Sequence, residues 1–241
     1  MQIQDHRPRV AAERRERMRA RLLASAMRLV AEKGPAATSI DDVISAAEVS
    51  RGTFYKYFPS PDAMVRELAV EIANELMGMA DPVVRGYSDP AERVSSGIRL
   101  VARLAIDHPL AATFLARLGW PDARGPNMLH DFVKRDLAEG IRQGRFKRMP
   151  IALALNIVTG AVLGATHSML EPGCEADFAE QSAAAALRAL GLDAQSAERI
   201  AKSPLKPVEI RSEGLLIETS QILAPVVAGK TRPVAGRPKV R

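Results

Sequence analysis

The chain has 241 residues, 47% hydrophobic and 26% charged, with 34 Lys and Arg against 28 Asp and Glu for a net charge of +6. That balance is the one expected of a soluble globular chain, and the length allows a substantial core divided into a small and a larger domain. The lone Cys174 excludes an intramolecular disulfide, and four histidines scattered at 6, 108, 130 and 167 do not make a metal cluster.

The basic charge is concentrated first at the N-terminus. Arg7, Arg9, Arg14, Arg15, Arg17, Arg19 and Arg21 face only Asp5, Glu13 and Glu16. Residues 1–14 are predicted to be a flexible basic arm that tracks a phosphate backbone or enters a minor groove, and a solvated leader is the competing reading for residues 1–10. Charges stand where a signal peptide needs an apolar core, so export is not expected and the reducing cytoplasm is the expected compartment.

Residues 38–58 read as two short helices joined by a tight turn. Ser39 caps the first, with Asp42 completing a Ser-x-x-Asp box and Ile40, Val43, Ile44 and Ala47 as the apolar face. Ala47-Glu48-Val49 makes the turn and Ser50 caps the second helix. At 100° per residue, Phe54 and Phe58 share the core side of that second helix. Arg51, Gly52, Thr53, Tyr55, Lys56 and Tyr57 form the opposite arc, and with the capping serines Ser39 and Ser50 they are the candidate DNA-binding residues. Hydroxyls and cations on such an arc bond phosphates, a glycine admits close backbone approach, and Arg51 or Lys56 can reach base edges. A short packing helix with half-buried tyrosines is the plainer alternative.

These residues resemble the tetracycline-repressor-like (TetR) transcriptional regulators. The resemblance rests on Leu22-Leu-Ala-Ser-Ala-Met-Arg-Leu-Val-Ala-Glu-Lys-Gly34, on Val49-Ser-Arg-Gly-Thr-Phe-Tyr-Lys-Tyr-Phe58 and on Asp62-Ala-Met-Val65, and it is strong over residues 15–70. It implies that Thr53, Tyr55 and Tyr57 hold phosphates while Arg51, Gly52 and Lys56 face bases. Two positions depart from the family pattern. Glu48 occupies a turn position where glycine is usual, which is strained if φ is positive. Pro61 replaces a phosphate-reaching lysine but suits the first turn of the next helix.

Further along, helical periodicity predicts helices over Asp62–Met79, Ala91–Asp107, Leu110–Leu118, Asn127–Gln143, Ile151–Leu170, Glu175–Leu190 and Asp193–Lys202. Stops are expected at Asp81-Pro82, Asp89-Pro90, His108-Pro109, Trp120 to Pro126 and Glu171-Pro-Gly173. Residues 149–170 carry no Asp, Glu, Lys or Arg and are long enough to span a bilayer. Asn156, Thr159, His167 and two glycines favour a buried helix at a subunit interface instead. Gly160 and Gly164 open one face of it, and the small-residue stripe of 178–190, including Ala184 and Leu187, suits the same homodimer interface. The resemblance implies pairing of these penultimate helices across a two-fold axis, and hence a palindromic operator.

The middle helices are expected to enclose an effector pocket. Phe114, Trp120, Met128, Phe132, Asn156 and His167 are its candidate lining, with ordinary core packing as the alternative for each. Residues 204–241 read as a basic tail. A short amphipathic helix is possible over Ile210–Leu223, and Lys230, Arg232, Arg237, Lys239 and Arg241 follow among prolines and glycines. Non-specific attraction to DNA and an inert tail both remain open for it.

The expected fold is therefore all-α. A three-helix, helix-turn-helix DNA-binding domain at 15–62 precedes a larger helical ligand-binding and dimerisation domain at 63–203. No nucleophile elbow, phosphate loop or dinucleotide fingerprint is present, so neither enzymatic activity nor a cofactor is expected. The expected function is a homodimeric repressor that binds a double-stranded DNA operator and leaves it when a small-molecule effector binds. The alternatives are a ligand-independent regulator of the same fold and a helical protein-interaction module.

Overall fold

The computed structural model describes residues 7–118, 128–208 and 214–216, and every regular element among them is helical. In chain order these are α1 (Arg7–Lys33), α2 (Ile40–Ala46), α3 (Arg51–Tyr55), α4 (Pro61–Val84) and α5 (Pro90–Asp107). There follow α6 (Pro109–Leu118), α7 (Met128–Arg142), α8 (Ile151–Met169), α9 (Phe178–Ala189) and α10 (Ala194–Ala201).

Helix α1 is 27 residues long and divides by burial. Its second half buries Leu22, Leu23, Ala26, Met27 and Val30, an i, i+4 pattern that packs on α2, α4 and α6. Residues 9–17 are exposed. The flexible arm expected over residues 1–14 is corrected for its second half, because residues 7–14 are the first turns of α1. Ala11 and Ala12 are strong helix formers, and Glu13 pairs with both Arg9 at 2.9 Å and Arg17 at 3.8 Å. Further on, Arg19 is held by Glu67 and by Glu71 of α4, the latter at 2.8 Å. Residues 1–6 lie outside the described residues.

Helix α4 starts as its sequence dictates, with the Ser60 hydroxyl accepting from Ala63 N–H at 3.1 Å and Pro61 in the first turn. It does not stop at Asp81-Pro82. Pro82 falls in the last turn, where its missing N–H costs one helical bond, and the Asp81 carboxylate is tied to Arg85 at 2.8 Å and to Arg135 of α7 at 3.0 Å. Asp89 caps α5 through Ala91 N–H at 2.9 Å and also takes the Arg145 guanidinium at 2.8 Å. Helix α9 begins at Phe178 rather than Glu175. Asp177 and Glu175 instead accept the Gln181 amide across a turn.

The body is organised around α5, which packs on α4, α7, α8 and α9. An ion pair is buried in it: Arg99 Nε of α5 donates to Glu180 Oε1 of α9 at 3.0 Å, with side chains 5% and 9% exposed. Beyond α10, two described stretches of the chain meet α4 and the residues just after it. Lys206 Nζ donates to Gly86 O at 2.8 Å and lies 4.6 Å from the Tyr87 ring centre. Farther along, Leu215 and Leu216 are buried, their N–H groups donating to the two oxygens of Glu75 at 2.7 and 3.0 Å.

Candidate nucleic-acid interface

Local sequence builds the helix-turn-helix. Asp42 N–H donates to the Ser39 hydroxyl at 3.2 Å, and Ser39 N–H returns a bond to Asp42 Oδ2 at 2.8 Å, completing the expected box. Lys33, at the end of α1, reaches Asp42 at 2.7 Å and pins α2 to the long helix. That ammonium, then the Ser39 hydroxyl and N–H, hold the Asp42 carboxyl well below its ordinary value. In the turn, Glu48 takes φ of 52°, the left-handed region that favours glycine. Ser50 then caps α3 by accepting from Thr53 N–H at 3.0 Å.

Phe54 and Phe58 are 0% and 1% exposed, their ring centres 5.8 Å apart, so the core side of α3 is the one that periodicity predicts. Arg51, Gly52, Tyr55 and Lys56 are exposed, and Thr53 and Tyr57 are half-buried. Thr53 and Ser50 share a hydroxyl contact of 2.9 Å, and the Ser39 hydroxyl is taken up by Asp42 at 2.6 Å. Both serines are thus engaged within the turn. A Cβ at Gly52 would meet only the Ser50 hydroxyl at 3.9 Å, so the chain's own packing does not require glycine there. Arg51 Nη2 lies 2.5 Å from Asp41 Oδ1, and this bond, followed by the charge of Asp41, raises the guanidinium's affinity for its proton.

An open groove of about 800 Å³ separates α3 from the exposed half of α1. Thr53, Lys56 and Tyr57 form one wall, and Val10, Ala11, Arg14, Arg15 and Met18 form the other. On a free arm these arginines are not expected beside α3, yet the helix brings them there. The missed signal is the spacing of Val10, Ala11, Arg14, Arg15 and Met18, which puts them on one helical face.

Elsewhere the expected sites are placed as follows. A cavity of about 30 Å³ lies among α4, α5, α7 and α8. Met77, Val84, Ile98, Val101, Phe132 and Val158 supply its apolar wall, and Asp81, Arg93 and Asp136 its polar end. Arg93 Nη2 bonds Glu139 at 2.7 Å, while its buried Nε has no hydrogen-bond partner. Of the six expected pocket residues, Phe132 lines this cavity and Phe114 is fully buried in the core outside it. Asn156 and His167 are corrected, because both lie on the exposed side of α8. Trp120 falls outside the described residues, as does the side chain of Met128 at the start of α7.

Gly160 and Gly164 line an open groove of about 350 Å³ between α8 and α9, together with Ala161, Ser182, Ala185 and Ala189. Ala184 and Leu187 are corrected as interface residues. They are 7% and 0% exposed and face the body of their own chain, leaving Gln181, Ala185, Arg188 and Ala189 outward. Helix α8 is the one described helix long and apolar enough to cross a membrane. It packs on α5, α6, α7 and α9 and buries Ala154, Leu155, Val158, Val162, Ala165 and Thr166 there.

Comparison with known proteins places this arrangement. Residues 22–68 match the family described as bacterial regulatory proteins, tetR family, and residues 89–203 match the tetracyclin repressor-like C-terminal domain. The HTH-type transcriptional regulator EthR of Mycolicibacterium smegmatis is 34% identical over 94 residues, covering 39% of this chain and 43% of that protein. An uncharacterized HTH-type transcriptional regulator of Mycobacterium tuberculosis is 34% identical over 110 residues, covering 44% of this chain and 52% of that protein. The chain thus spans about half the length of these curated relatives. Among solved structures, that of RolR in complex with resorcinol is 29% identical, covers 82% of this chain and all of the other, and has a TM-score of 0.59. With both halves of the family pattern matched in order and the helical fold shared, the chain belongs to the TetR family of bacterial regulatory proteins.

Proposed function

We propose that this protein is a homodimeric DNA-binding transcriptional repressor, released from a palindromic operator by a small-molecule effector. The observation that carries DNA binding is the α3 surface: Arg51, Gly52, Tyr55 and Lys56 stand exposed around a helix whose Phe54 and Phe58 are locked in the core. That side fits a major groove, with Arg51 and Lys56 toward base edges and Thr53, Tyr55 and Tyr57 toward phosphates. Residues 15–62 act as the reading head and 63–203 as the effector and dimer domain. The open α8–α9 groove with Gly160, Gly164, Ala185 and Ala189 suits a second copy of the chain, because small residues admit a close helix. Two heads about one helical turn apart then read a two-fold symmetric site.

Effector release follows from the cavity's position and size. Its volume of about 30 Å³ is too small for an organic molecule, given that an engineered cavity of about 150 Å³ takes benzene. An effector entering among α4, α5, α7 and α8 must therefore separate those helices. Helix α4 begins at Pro61, directly after the reading head, so its displacement moves the head. Binding of resorcinol by RolR supports a small organic effector for this fold. By reciprocity, operator DNA weakens effector binding by the same factor that effector weakens operator binding.

Selection of bound genomic fragments at physiological salt tests the reading. The expected product is a palindrome on which Arg51→Ala and Lys56→Ala relax base preference, while Tyr57→Phe weakens binding across all sequences. Unchanged binding in all three variants overturns the groove assignment. Salt-insensitive binding with no promoter fragment retained favours the protein-interaction reading.

A further inference from the structure

The cavity among α4, α5, α7 and α8 is divided in its chemistry. One side is the apolar wall that includes Met77, Ile98, Phe132 and Val158, and the other is a set of arginines and carboxylates from α4, α5 and α7. Asp81 pairs with Arg85 at 2.8 Å and with Arg135 at 3.0 Å, and Asp136 takes the same Arg135 at 2.9 Å. Glu139 takes Arg93 Nη2 at 2.7 Å. Three guanidiniums thus meet three carboxylates, and the set carries no net charge. Arg142 comes only within 4.0 Å of Glu139 and is 74% exposed at its side chain, so its charge belongs to the solvent.

One donor of this set is unused. Arg93 Nε is buried without a hydrogen-bond partner, and Asp136 Oδ1, at 3.6 Å from it, is too far to accept. The two side chains are 12% and 6% exposed, so both groups are largely withdrawn from water. An oxygen seated between them can lie within hydrogen-bond reach of each. To satisfy both it must accept from Nε and donate to the carboxylate, and a hydroxyl does both at one atom. A carboxylate only accepts and an ammonium only donates, and either brings a charge that the balanced set does not offset. A water molecule would make the same two bonds, but a hydroxyl carried on an apolar body makes them and covers the apolar wall as well. Phe132 stands where wall and charges meet: its ring centre lies 5.4 Å from the Arg135 guanidinium carbon and 5.8 Å from that of Arg85.

We infer that the effector is a small, uncharged, mostly apolar molecule with a hydroxyl group that accepts from Arg93 Nε and donates to Asp136. The inference deepens the proposed effector release and rests on it. Recognition of this kind is selective because an analogue without the hydroxyl leaves a buried guanidinium N–H unsatisfied when the site closes around it.

The test compares four probes that share one ring and differ at one substituent: benzyl alcohol, toluene, benzoate and benzylammonium. Affinities are read by titration calorimetry on the full chain, without DNA. Benzyl alcohol is expected to bind about 10- to 100-fold more tightly than toluene, the range for a hydrogen bond to a charged group, and both charged probes more weakly still. Arg93→Lys keeps the charge for Glu139 but removes the Nε donor, and should bring benzyl alcohol and toluene to within about threefold of each other. Asp136→Asn leaves the set one positive charge in excess, and should raise the affinity for benzoate relative to benzyl alcohol, a change that a purely structural role would not produce. Should Arg93→Lys fail to fold by circular dichroism, the four-probe ranking and Asp136→Asn still decide. Equal binding of benzyl alcohol and toluene to the parent protein, tighter binding of either charged probe, or no binding of benzyl alcohol overturns the inference and leaves DNA binding untouched. The expected ranking, with operator affinity unchanged at saturating benzyl alcohol, overturns effector release instead and leaves the chemistry of the site standing.

Discussion

Arg51, at the first position of α3, and Asp41, in the first turn of α2, form an ion pair of 2.5 Å across the helix-turn-helix. The guanidinium expected to meet base edges is thus held within the free protein by a carboxylate on the same exposed surface. Asp41 opposes DNA twice, by occupying Arg51 and by repelling phosphate. Asp41→Asn is expected to tighten DNA binding by roughly three- to tenfold, since an exposed pair is modest in water and easily exchanged. On an Arg51→Ala background the same change should give much less, and a double-mutant cycle by gel shift at fixed salt measures the coupling. Additive effects would show that the pair has no part in recognition.

Glu48 marks the one strained position of the turn. Its φ of 52° puts Cβ near the following carbonyl, which costs about 1–2 kcal/mol for a residue other than glycine. Glu48→Gly removes that strain but adds chain entropy to the unfolded state, so the net stabilisation expected is about 0.5–1 kcal/mol. A urea midpoint raised with an unchanged slope confirms it.

Acid sensitivity should follow the capping carboxylates. Lys33, then Ser39, hold Asp42 well below its ordinary value of 3.8, and the backbone and side-chain bonds of Ser196 lower Asp193. At Asp89, burial works to raise the carboxyl, but the Arg145 and Ala91 hydrogen bonds and nearby arginine charge outweigh it, leaving it lowered. A carboxyl with a depressed folded pKa binds fewer protons folded than unfolded. Its stabilisation is complete above the unfolded value near 4 and is lost as the pH falls through the folded pKa. Stability should therefore be flat from pH 7 to about 5 with respect to these groups, and fall below about pH 4. Asp42→Asn keeps an acceptor for Ser39 N–H but no charge for Lys33. It should be less stable at pH 7 and show a shallower acid decline in urea titrations at each pH.

The helix-turn-helix was legible in sequence because its determinants are local: Ser39 and Ser50 cap through residues three positions on, and Phe54 and Phe58 declare a core side. What the sequence does not reveal depends on distant partners. Helix α8 is apolar nearly all round, so periodicity could not tell that Asn156 and His167 point outward. In α9 a run of alanines looks alike on every side, and it is packing on α5, α8 and α10 that sets which side Ala184 and Leu187 bury. Glu75 and Leu215 stand 140 positions apart, beyond the reach of any local pattern.

The outward groove of α8 and α9 gives a clean test of assembly. A Cβ at Gly164 meets nothing within 4 Å in its own chain, and the residue is helical without a positive φ. Gly164→Leu should therefore fold as well as the parent protein, with the added side chain filling the groove where a second copy is proposed to pack. The expected result is a monomer by light scattering, with helicity by circular dichroism retained and operator affinity strongly reduced. A dimer that persists unchanged would place the interface elsewhere.

Glu180 carries the most consequential pairing in the body. Its Oε1 accepts from Arg99 Nε at 3.0 Å and from Arg103 Nη2 at 2.5 Å, while its buried Oε2 has no hydrogen-bond partner. The carboxylate thus ties two turns of α5 to the start of α9, with one acceptor unsatisfied. Removing one partner of a buried pair typically costs about 3–5 kcal/mol, because the other charge is left without compensation, so Glu180→Ala should strongly destabilise the fold. Replacing both members by apolar residues of similar size, Arg99→Met with Glu180→Leu, removes the buried charges together. Arg103, 47% exposed at its side chain, can turn to water. The double variant should recover most of the loss, giving a coupling of at least about 2 kcal/mol in a urea-denaturation cycle. If its stability equals that of Glu180→Ala, the pair is not the unit that joins α5 to α9. Because the groove on the outer side of α9 is the proposed dimer surface, the same variants report whether that helix must be held by charge to present it. Restored stability without restored dimerisation would mean that Glu180 sets the position of α9 as well as its attachment.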